Sequence, residues 1–445
     1  MEVQQKPTPN LLHQAFAQFQ AGRLEPAAEL LRQHLKISKT DGPAYHLLGG
    51  IYYRQGRLEA ARDHIARACA LPGATAEMFS NLGAALKALG DATGAIAAFQ
   101  HAVALEPGHP EALNNLGVMY REQGDSRRAI ELLRRVVALK PDMAEAQKNL
   151  RNAYNDVVSA WHFAMVNDQP RNNAFQAAIE RAVPGKHVLD IGTGTGLLAM
   201  MAARAGAQTV TTCEATPVIA ERAHDIIALN GFGGRINVIA NHSTAIATGR
   251  ELQQRAEVLI TETFASDLLS EGVLTTIEHA HRELLAPGAC VIPRIAAARA
   301  YLAGGAEIES MLFAGPSNGF DLSPFNEFAP PLLAASMNNV VHDVFSADFE
   351  LFSFDLREKL FGMDNRNLTI PVTRSGAAAA VVQWIRLDLD GVSEYENRPS
   401  SGPGAESHWT HILYRFPRPV AVQAGQSVRL SIGHNREQIW VRLAD

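Results

Sequence analysis

The sequence predicts a multidomain chain in three parts: an all-α repeat superhelix, an α/β domain on a parallel sheet, and a β-rich last third. Three observations predict it. The first third repeats itself every 34 residues; KHVLDIGTGTGLLAMMAARAGA, from Lys186, reads as buried strand, glycine turn and helix; and after Pro293 helical periodicity gives way to short apolar runs broken by turns. The boundaries that follow are 1–150, 151–293 and 294–445.

The repeat is visible in columns. Gly49, Gly83 and Gly117 fall in register, as do Gly22, Gly56, Gly90 and Gly124; Ala27, Ala61, Ala95 and Ala129 form another column, and Pro107 and Pro141 a third. Each unit holds two helical patterns, such as AEMFSNLGAALKAL and TGAIAAFQHAVAL, joined at a glycine. Small residues let helices approach closely, and neighbouring pairs must stack to bury their apolar faces. The pattern resembles the tetratricopeptide repeat over about residues 9–142, and EAQKNLRNAYN adds one more first helix, with Leu116/Leu150 and Tyr120/Tyr154 keeping the period. Asn81, Asn115 and Asn149 also sit 34 apart. A primary amide donates and accepts at once, so this column reads either as a track for an extended substrate peptide or as hydrogen bonding within the stack.

In the middle third, Gly192, Gly194 and Gly196 alternate after Asp190 at a strand end. The dinucleotide fingerprint is more widely spaced and seats a pyrophosphate; an acid at this tighter turn would repel one, and a cationic or amino-acid-bearing ligand suits it better. A second strand, TVTTCEA, ends in Glu214, placed to accept both ribose hydroxyls. Together these residues resemble the S-adenosylmethionine-dependent methyltransferases, with a Rossmann-like fold.

TETFASDLLSEG, residues 261–272, carries Glu262 and Glu271 nine residues apart beyond an apolar strand. Converging carboxylates repel unless they share a cation. With WHFAMVNDQPR upstream, HAHRELLAPGACVIPR downstream and SHWTH at 407–411, this loop resembles the protein arginine methyltransferases over about residues 155–445. INVIANHSTAI and the loop itself look most like the subfamily that makes only monomethylarginine, whose members carry two modules per chain. A related subfamily places tetratricopeptide repeats ahead of its modules.

The resemblance implies the roles. The shared cation is guanidinium, which stays protonated and presents a planar fork to two carboxylates, so Glu262 and Glu271 bind and orient the substrate arginine. Arg171 pairs with the methionine carboxylate, and His162 and Met165 lie beside the cofactor. The remaining cofactor contacts fall on Asp190, Gly192, Thr193, Gly194, Gly196, Glu214, Ala215, Ser243 and Thr244. His408 bonds Asp168, a pair the family links to proton removal, and Trp409 walls the arginine channel. The chain departs from the family at Ser243 and Thr244, where most members have an acid for the adenine amine. It departs again at His411, where a glutamine is usual, and in the aromatics before the first helix, reduced to Trp161 and Tyr154. These departures bear on the number of methyls added.

After Pro293, RIAAARAYLAG, FELFSFDL, AAAAVVQWIRLDL, HWTHILYRF, VRLSI and EQIWVRL read as strands, which suits the family's β-barrel. The proline- and aromatic-containing insertion at about 315–348 corresponds to the arm that, in the family, reaches the partner's nucleotide-binding domain, so a homodimer is expected. A net charge of −6 argues against broad nucleic-acid binding and tolerates basic substrates. The three scattered cysteines make neither a disulfide framework nor a zinc spacing. No leader pattern opens the sequence and no apolar run approaches ~18 residues, so a cytoplasmic enzyme, without metal or membrane partner, is expected. The activity expected is methylation of arginine in a protein or peptide recruited by the repeats. The rivals are a repeat scaffold with an inactive or cofactor-sensing module, and an enzyme for a small guanidino compound.

Overall fold

The computed structural model describes residues 10–158, 161–400 and 409–444, so His408 lies outside the described residues, as does the side chain of Trp161. The chain divides into two compact units, residues 1–159 and 160–445.

Nine described helices make the first unit: α1 Leu11–Gln20, α2 Leu24–Ile37, α3 Gly42–Arg54, α4 Leu58–Cys69, α5 Ala76–Ala88, α6 Ala92–Leu105, α7 Pro110–Glu122, α8 Ser126–Leu139 and α9 Ala144–Asn155. Each column of small residues has its own cause. Gly22, Gly56, Gly90 and Gly124 end the first helices at φ of 75°, 74°, 81° and 79°, a left-handed turn that glycine adopts without a Cβ clash. Gly49, Gly83 and Gly117 serve packing instead. A Cβ there would fall 2.4 Å from Ile65, 2.6 Å from Phe99 and 2.8 Å from Leu133, so each glycine admits the second helix of its own pair. Ala27, Ala61, Ala95 and Ala129 are fully buried beside them.

The second unit opens with α10 (Trp161–Asn167) and α11 (Gln169–Ala182) and continues as an alternation: β1 His187–Ile191, α12 Leu197–Arg204, β2 Thr209–Cys213, α13 Pro217–Leu229, β3 Ile236–Ile239, β4 Ala256–Thr261, α14 Val273–His279 and β5 Leu285–Ile292. The five strands are parallel in the order β3-β2-β1-β4-β5. The winding reverses between β1 and β4, the place where such sheets open a crevice at their carboxyl ends. Ile191 pairs with both Cys213 and Thr261, so the residues that follow, Gly192, Glu214 and Glu262, start from one row at that edge.

Beyond it come β6 Ile295–Gly304, α15 Ala306–Leu312, β7 Leu332–Ala335, β8 Asp343–Val344, β9 Phe349–Asp355, β10 Asp364–Pro371, β11 Gly376–Asp388, β12 Glu394–Glu396, β13 His411–Val422, β14 Ser427–His434 and β15 Ile439–Leu443. They form an antiparallel sheet with path β7-β13-β11-β6-β8, to which β9 and β12 attach, and a second sheet β10-β14-β15. Sequence reading missed β7, β8, β10 and β12. Two of these correct the picture of the insertion. Leu332–Ala335 pairs with β13 and Asp343–Val344 with β6, so its second half belongs to the sheet and only the stretch near 313–331 stands apart from it.

Candidate active site

A cleft of about 270 Å³ opens at the carboxyl edge of β1, β2 and β4, lined by Gly192, Gly194, Glu214, Ala215, Ser243, Glu262 and Glu271, with His162 and Met165 from α10. The glycines divide by role. Cβ atoms at Gly192 and Gly196 would meet Thr263 and Ile227 at 2.8 Å, whereas one at Gly194 meets nothing within 4 Å. Gly194 therefore keeps open the space of the cleft itself. Its N–H donates to Glu214 Oε2 at 3.1 Å, while Thr216 N–H donates to Oε1 at 3.0 Å. These two bonds fix the Glu214 carboxylate at the cleft wall.

Asp190 is not on that wall. It is fully buried under the glycine turn, accepts from Thr212 Oγ1 at 2.7 Å, and has no partner on Oδ1. Burial pushes its carboxyl up to about 7. The expectation that it faces a ligand and repels a pyrophosphate is thus corrected: it supports the turn from beneath. Thr193, bonded to Thr212 at 2.7 Å, and Gly196, opening α12 against Ile227, sit in the same supporting layer. Thr244 bonds His242 and does not line the cleft, whereas Asn241 and His242 do. Both lie within INVIANHSTAI, two and three residues beyond β3, but sequence reading singles out neither as a site residue.

The acids are held differently. Glu262 follows β4, and its Oε2 accepts from Arg171 Nη2 at 2.7 Å, with both side chains almost fully buried. Arg171 stands at the start of α11, where Asp168 caps the helix by accepting from its backbone N–H at 3.0 Å. Its Nη1 donates to Asn172 Oδ1, and its Nε is buried without a partner. Arg171 is therefore buried beside Glu262, with Nε as the donor left over. The chain then folds back through Leu268, a fully buried residue at φ 79°. That left-handed conformation costs a branched L residue about 1–3 kcal/mol and persists only where packing enforces it. The turn delivers Glu271 to the same cleft. Burial, then the nearby charges of Glu262 and Asp267, hold the Glu271 carboxyl above its ordinary range. A cation that joins an acid so placed favours its charged form.

A second cleft, of about 480 Å³, starts at Glu271 and runs past Phe264, Ser266, Asp267, Leu332, Trp409 and Tyr414. Glu271 lines both. Trp409 is buried, with its indole N–H donating to Phe264 O at 2.8 Å, and Thr410 N–H bonds Ser266 Oγ at 3.1 Å. The strand β13 is thereby pinned to the two-glutamate loop. His411 turns away from both clefts: Nδ1 accepts from Met337 N–H at 2.9 Å, and Nε2 faces Asn397 O at 2.9 Å. It acts as a strut and does not touch the arginine channel. Asp168 takes a hydrogen bond from Tyr395 of β12, a partner that sequence spacing gives no means of finding; the expected pairing of Asp168 with His408 lies outside the described residues.

In the first unit the asparagine column resolves mostly inward. Asn81 Nδ2 bonds His46 Nε2 at 2.8 Å, and Asn149 Nδ2 donates to Asn114 Oδ1 at 3.0 Å, each reaching to the preceding repeat. Asn115 is half-buried. Asn81 also lines a groove of about 720 Å³ with His13, Phe16 and Phe19.

Tetratricopeptide repeat families match residues 42–74 and 74–142, and the ribosomal protein L11 methyltransferase family matches residues 174–292. The chain is 36% identical over 278 residues to an arginine N(omega)-methyltransferase of Streptomyces achromogenes subsp. streptozoticus, covering 62% of this chain and 76% of that one. It is 30% identical to protein arginine N-methyltransferase 7 of Drosophila grimshawi and 31% to that of Drosophila melanogaster, over 64% of this chain. It spans about half the length of these two, 47% and 48%. Among solved structures, the Trypanosoma brucei PRMT1 enzyme–prozyme heterotetrameric complex with AdoHcy superposes with a TM-score of 0.54 at 21% identity, over 62% of this chain and 87% of that one. Arabidopsis thaliana protein arginine methyltransferase 10 superposes at 0.51 and 20%, over 60% and 86%. At these identities the two structures establish the fold.

Proposed function

The chain belongs to the arginine N-methyltransferases, and from that premise we propose that it transfers a methyl group from S-adenosylmethionine to a guanidino nitrogen of arginine in a protein or peptide. The observation that carries the proposal is Glu271, which lines both the nucleoside-sized cleft and the second cleft, with Glu262 beside it in the first. Three observations support the fit of the cofactor: the open space over Gly194, the Glu214 carboxylate fixed at the wall, and the buried Arg171 Nε without a partner. When bound, the cofactor supplies an electrophilic methyl on a sulfonium.

The side chains do the rest. Glu214 accepts from the ribose hydroxyls, His162 and Met165 border the ligand, and Arg171 has a donor to spare for its carboxylate. Glu262, held by Arg171, and Glu271 grip the guanidinium and aim one nitrogen, a positioning effect that supplies much of the rate. Glu271, which lines both clefts, is placed to take the proton that nitrogen sheds. Asp168 ties α11 to β12 through Tyr395, so its contribution is to hold Arg171 in place.

Methylation of a free guanidino compound is a second reading, favoured by the name of the Streptomyces relative, which specifies arginine without protein. Against it, the lining of the second cleft among the described residues includes Asp267 and Glu271 but no lysine or arginine to meet an α-carboxylate. Incubation with isotopically labelled cofactor, followed by mass spectrometry of arginine peptides and of free arginine side by side, decides between them. Labelled peptide with unlabelled arginine is expected.

The proposal extends to organisation. The three functional parts are 1–150, 151–293 and 294–445, with the repeats recruiting substrate. Two chains pair through the projecting stretch, on which Phe320, Phe325 and Phe328 are 71%, 68% and 75% exposed; an apolar surface of that kind is normally covered. Light scattering is expected to give a dimer, and deletion of 315–331 a monomer of low activity. The cytoplasm is the compartment proposed, on the strength of three free cysteines and no described helix long and apolar enough to cross a membrane.

A further inference from the structure

A third cleft, of about 460 Å³, continues from the second one. The two share Leu332, Tyr414 and Ile439. Its walls are Pro331 and Leu332 on one side, Pro417 of β13 on another, and the whole of β15 from Ile439 to Leu443. Consecutive strand residues alternate faces, so a lining that takes all five means that the edge of β15, and not one face, borders the groove. That edge is open in the sheet: β15 pairs with β14 and ends the order β10-β14-β15.

Two side chains on the outer face of β15 set its chemistry. Trp440 stands opposite Gly433, where a Cβ would fall 2.2 Å from the indole, so the missing side chain lets the ring lie against the strand as a fixed apolar wall. Arg442, two residues on, is exposed and makes no hydrogen bond or ion pair among the described residues. The other cation of the groove, Arg415, is occupied by Leu312 O and the Phe313 ring. Among the described residues no acid lines this groove, whereas Asp267 and Glu271 line the cleft that leads to it. The charge sign thus changes from negative at the guanidinium site to positive along the path away from it.

Resting on the arginine-methylation reading above, we infer that the groove is a flanking-residue subsite. It takes an extended substrate segment whose apolar side chain packs between Leu332 and Trp440, and whose carboxylate, two residues further along, meets Arg442. Two residues is the repeat of one face of an extended chain, which matches the spacing of Trp440 and Arg442.

The test uses the full chain and three synthetic peptides around one arginine. One flank carries leucine and glutamate two apart, leucine and lysine two apart, or glycine and glutamine. The leucine–glutamate peptide is expected to have the lowest KM, about 3- to 5-fold below the glycine–glutamine peptide, with kcat unchanged, as an exposed ion pair and uniform binding imply. Arg442→Glu is expected to reverse the preference towards the lysine peptide and to leave the glycine–glutamine peptide untouched. Anisotropy of the same peptides with norleucine in place of arginine, in the presence of S-adenosylhomocysteine, reads the subsite independently of turnover. Graded binding without methylation would sink the arginine reading and leave the subsite standing. Equal KM and equal binding of all three peptides, or a preference that Arg442→Glu does not move, would overturn the subsite.

Discussion

The repeat unit and the catalytic unit both place polar residues at regular intervals, and they use them in opposite ways. In the repeats, Asn81 and Asn149 recur every 34 or 68 residues and direct their amides at His46 and Asn114 of the preceding repeat. In the catalytic unit, Gly192, Glu214 and Glu262 are scattered in sequence, yet each follows a strand whose end is paired in one row. Regular spacing in a stack satisfies the stack. Irregular spacing across a parallel sheet converges, because the sheet aligns strand ends whatever the distance along the chain. The teaching is that a polar column in a solenoid is weak evidence for a site, and strand-end polar residues in a wound sheet are strong evidence.

The sharpest way to break this comparison is at the converging end. Glu262→Gln and Glu271→Gln each remove a charged partner of the guanidinium and leave the nucleoside contacts in place. Each is expected to lower kcat by about 10²–10³, with affinity for S-adenosylhomocysteine nearly unchanged by calorimetry. Wild-type turnover in both variants would refute the assignment. Gly194→Val comes next. A Cβ at that position meets nothing within 4 Å, while the φ of 52° strains a β-branched residue, so the ligand's volume is the cause of lost cofactor affinity where the variant keeps its fold. A loss of at least about 100-fold with an intact circular-dichroism spectrum is expected; unchanged affinity would place the pocket elsewhere.

Asp190 tests the supporting layer through pH. Its folded carboxyl lies near 7, above the ordinary aspartate value, because folding buries it. A group raised in this way favours the folded state below its unfolded value and loses that contribution as pH rises through about 7. Asp190→Asn keeps an acceptor for Thr212 and carries no charge to bury. The melting temperature of the variant is therefore expected to exceed that of the wild type by more at about pH 8.5 than at about pH 5.5. A gap independent of pH would mean that Asp190 is already ionised in the folded protein across this range and that burial does not raise its carboxyl.

Much of the fold was legible in the sequence because its devices are local. The 34-residue period, the strand–glycine–helix run and the paired glutamates each lie within a short window, and the resemblance they carry named the roles. What stayed hidden was of three kinds. Short strands such as Glu394–Glu396 exist only because β11 offers an edge, so nothing in three residues predicts them. Tyr395 reaching Asp168 spans 227 positions and follows no spacing rule. The burial of Asp190 reverses a charge argument that treated the turn as exposed, since sequence gives the acid but not its solvation. His411 belongs with these: a position read for its bearing on product turned out to be a strut between Met337 and Asn397.

The smallest effects lie in the asparagine column, and there two variants separate the readings. Asn149→Ala removes the donor to Asn114 Oδ1, on a side chain that is itself buried. Leaving a buried acceptor unmet costs about 1–3 kcal/mol, so the melting temperature should fall by several degrees for a unit of this size, at about 2–4 °C per kcal/mol. Asn115→Ala removes an amide with no hydrogen bond among the described residues and should leave stability within about 0.5 kcal/mol. If the column works within the stack, neither variant changes KM for a peptide substrate. If it is a substrate track, Asn115→Ala raises KM at unchanged melting temperature, since its amide is the one left to bind a peptide backbone. The pair thus turns one ambiguous column into two independent measurements, and a rise in KM confined to Asn115→Ala would restore the repeats as a reader of substrate backbone.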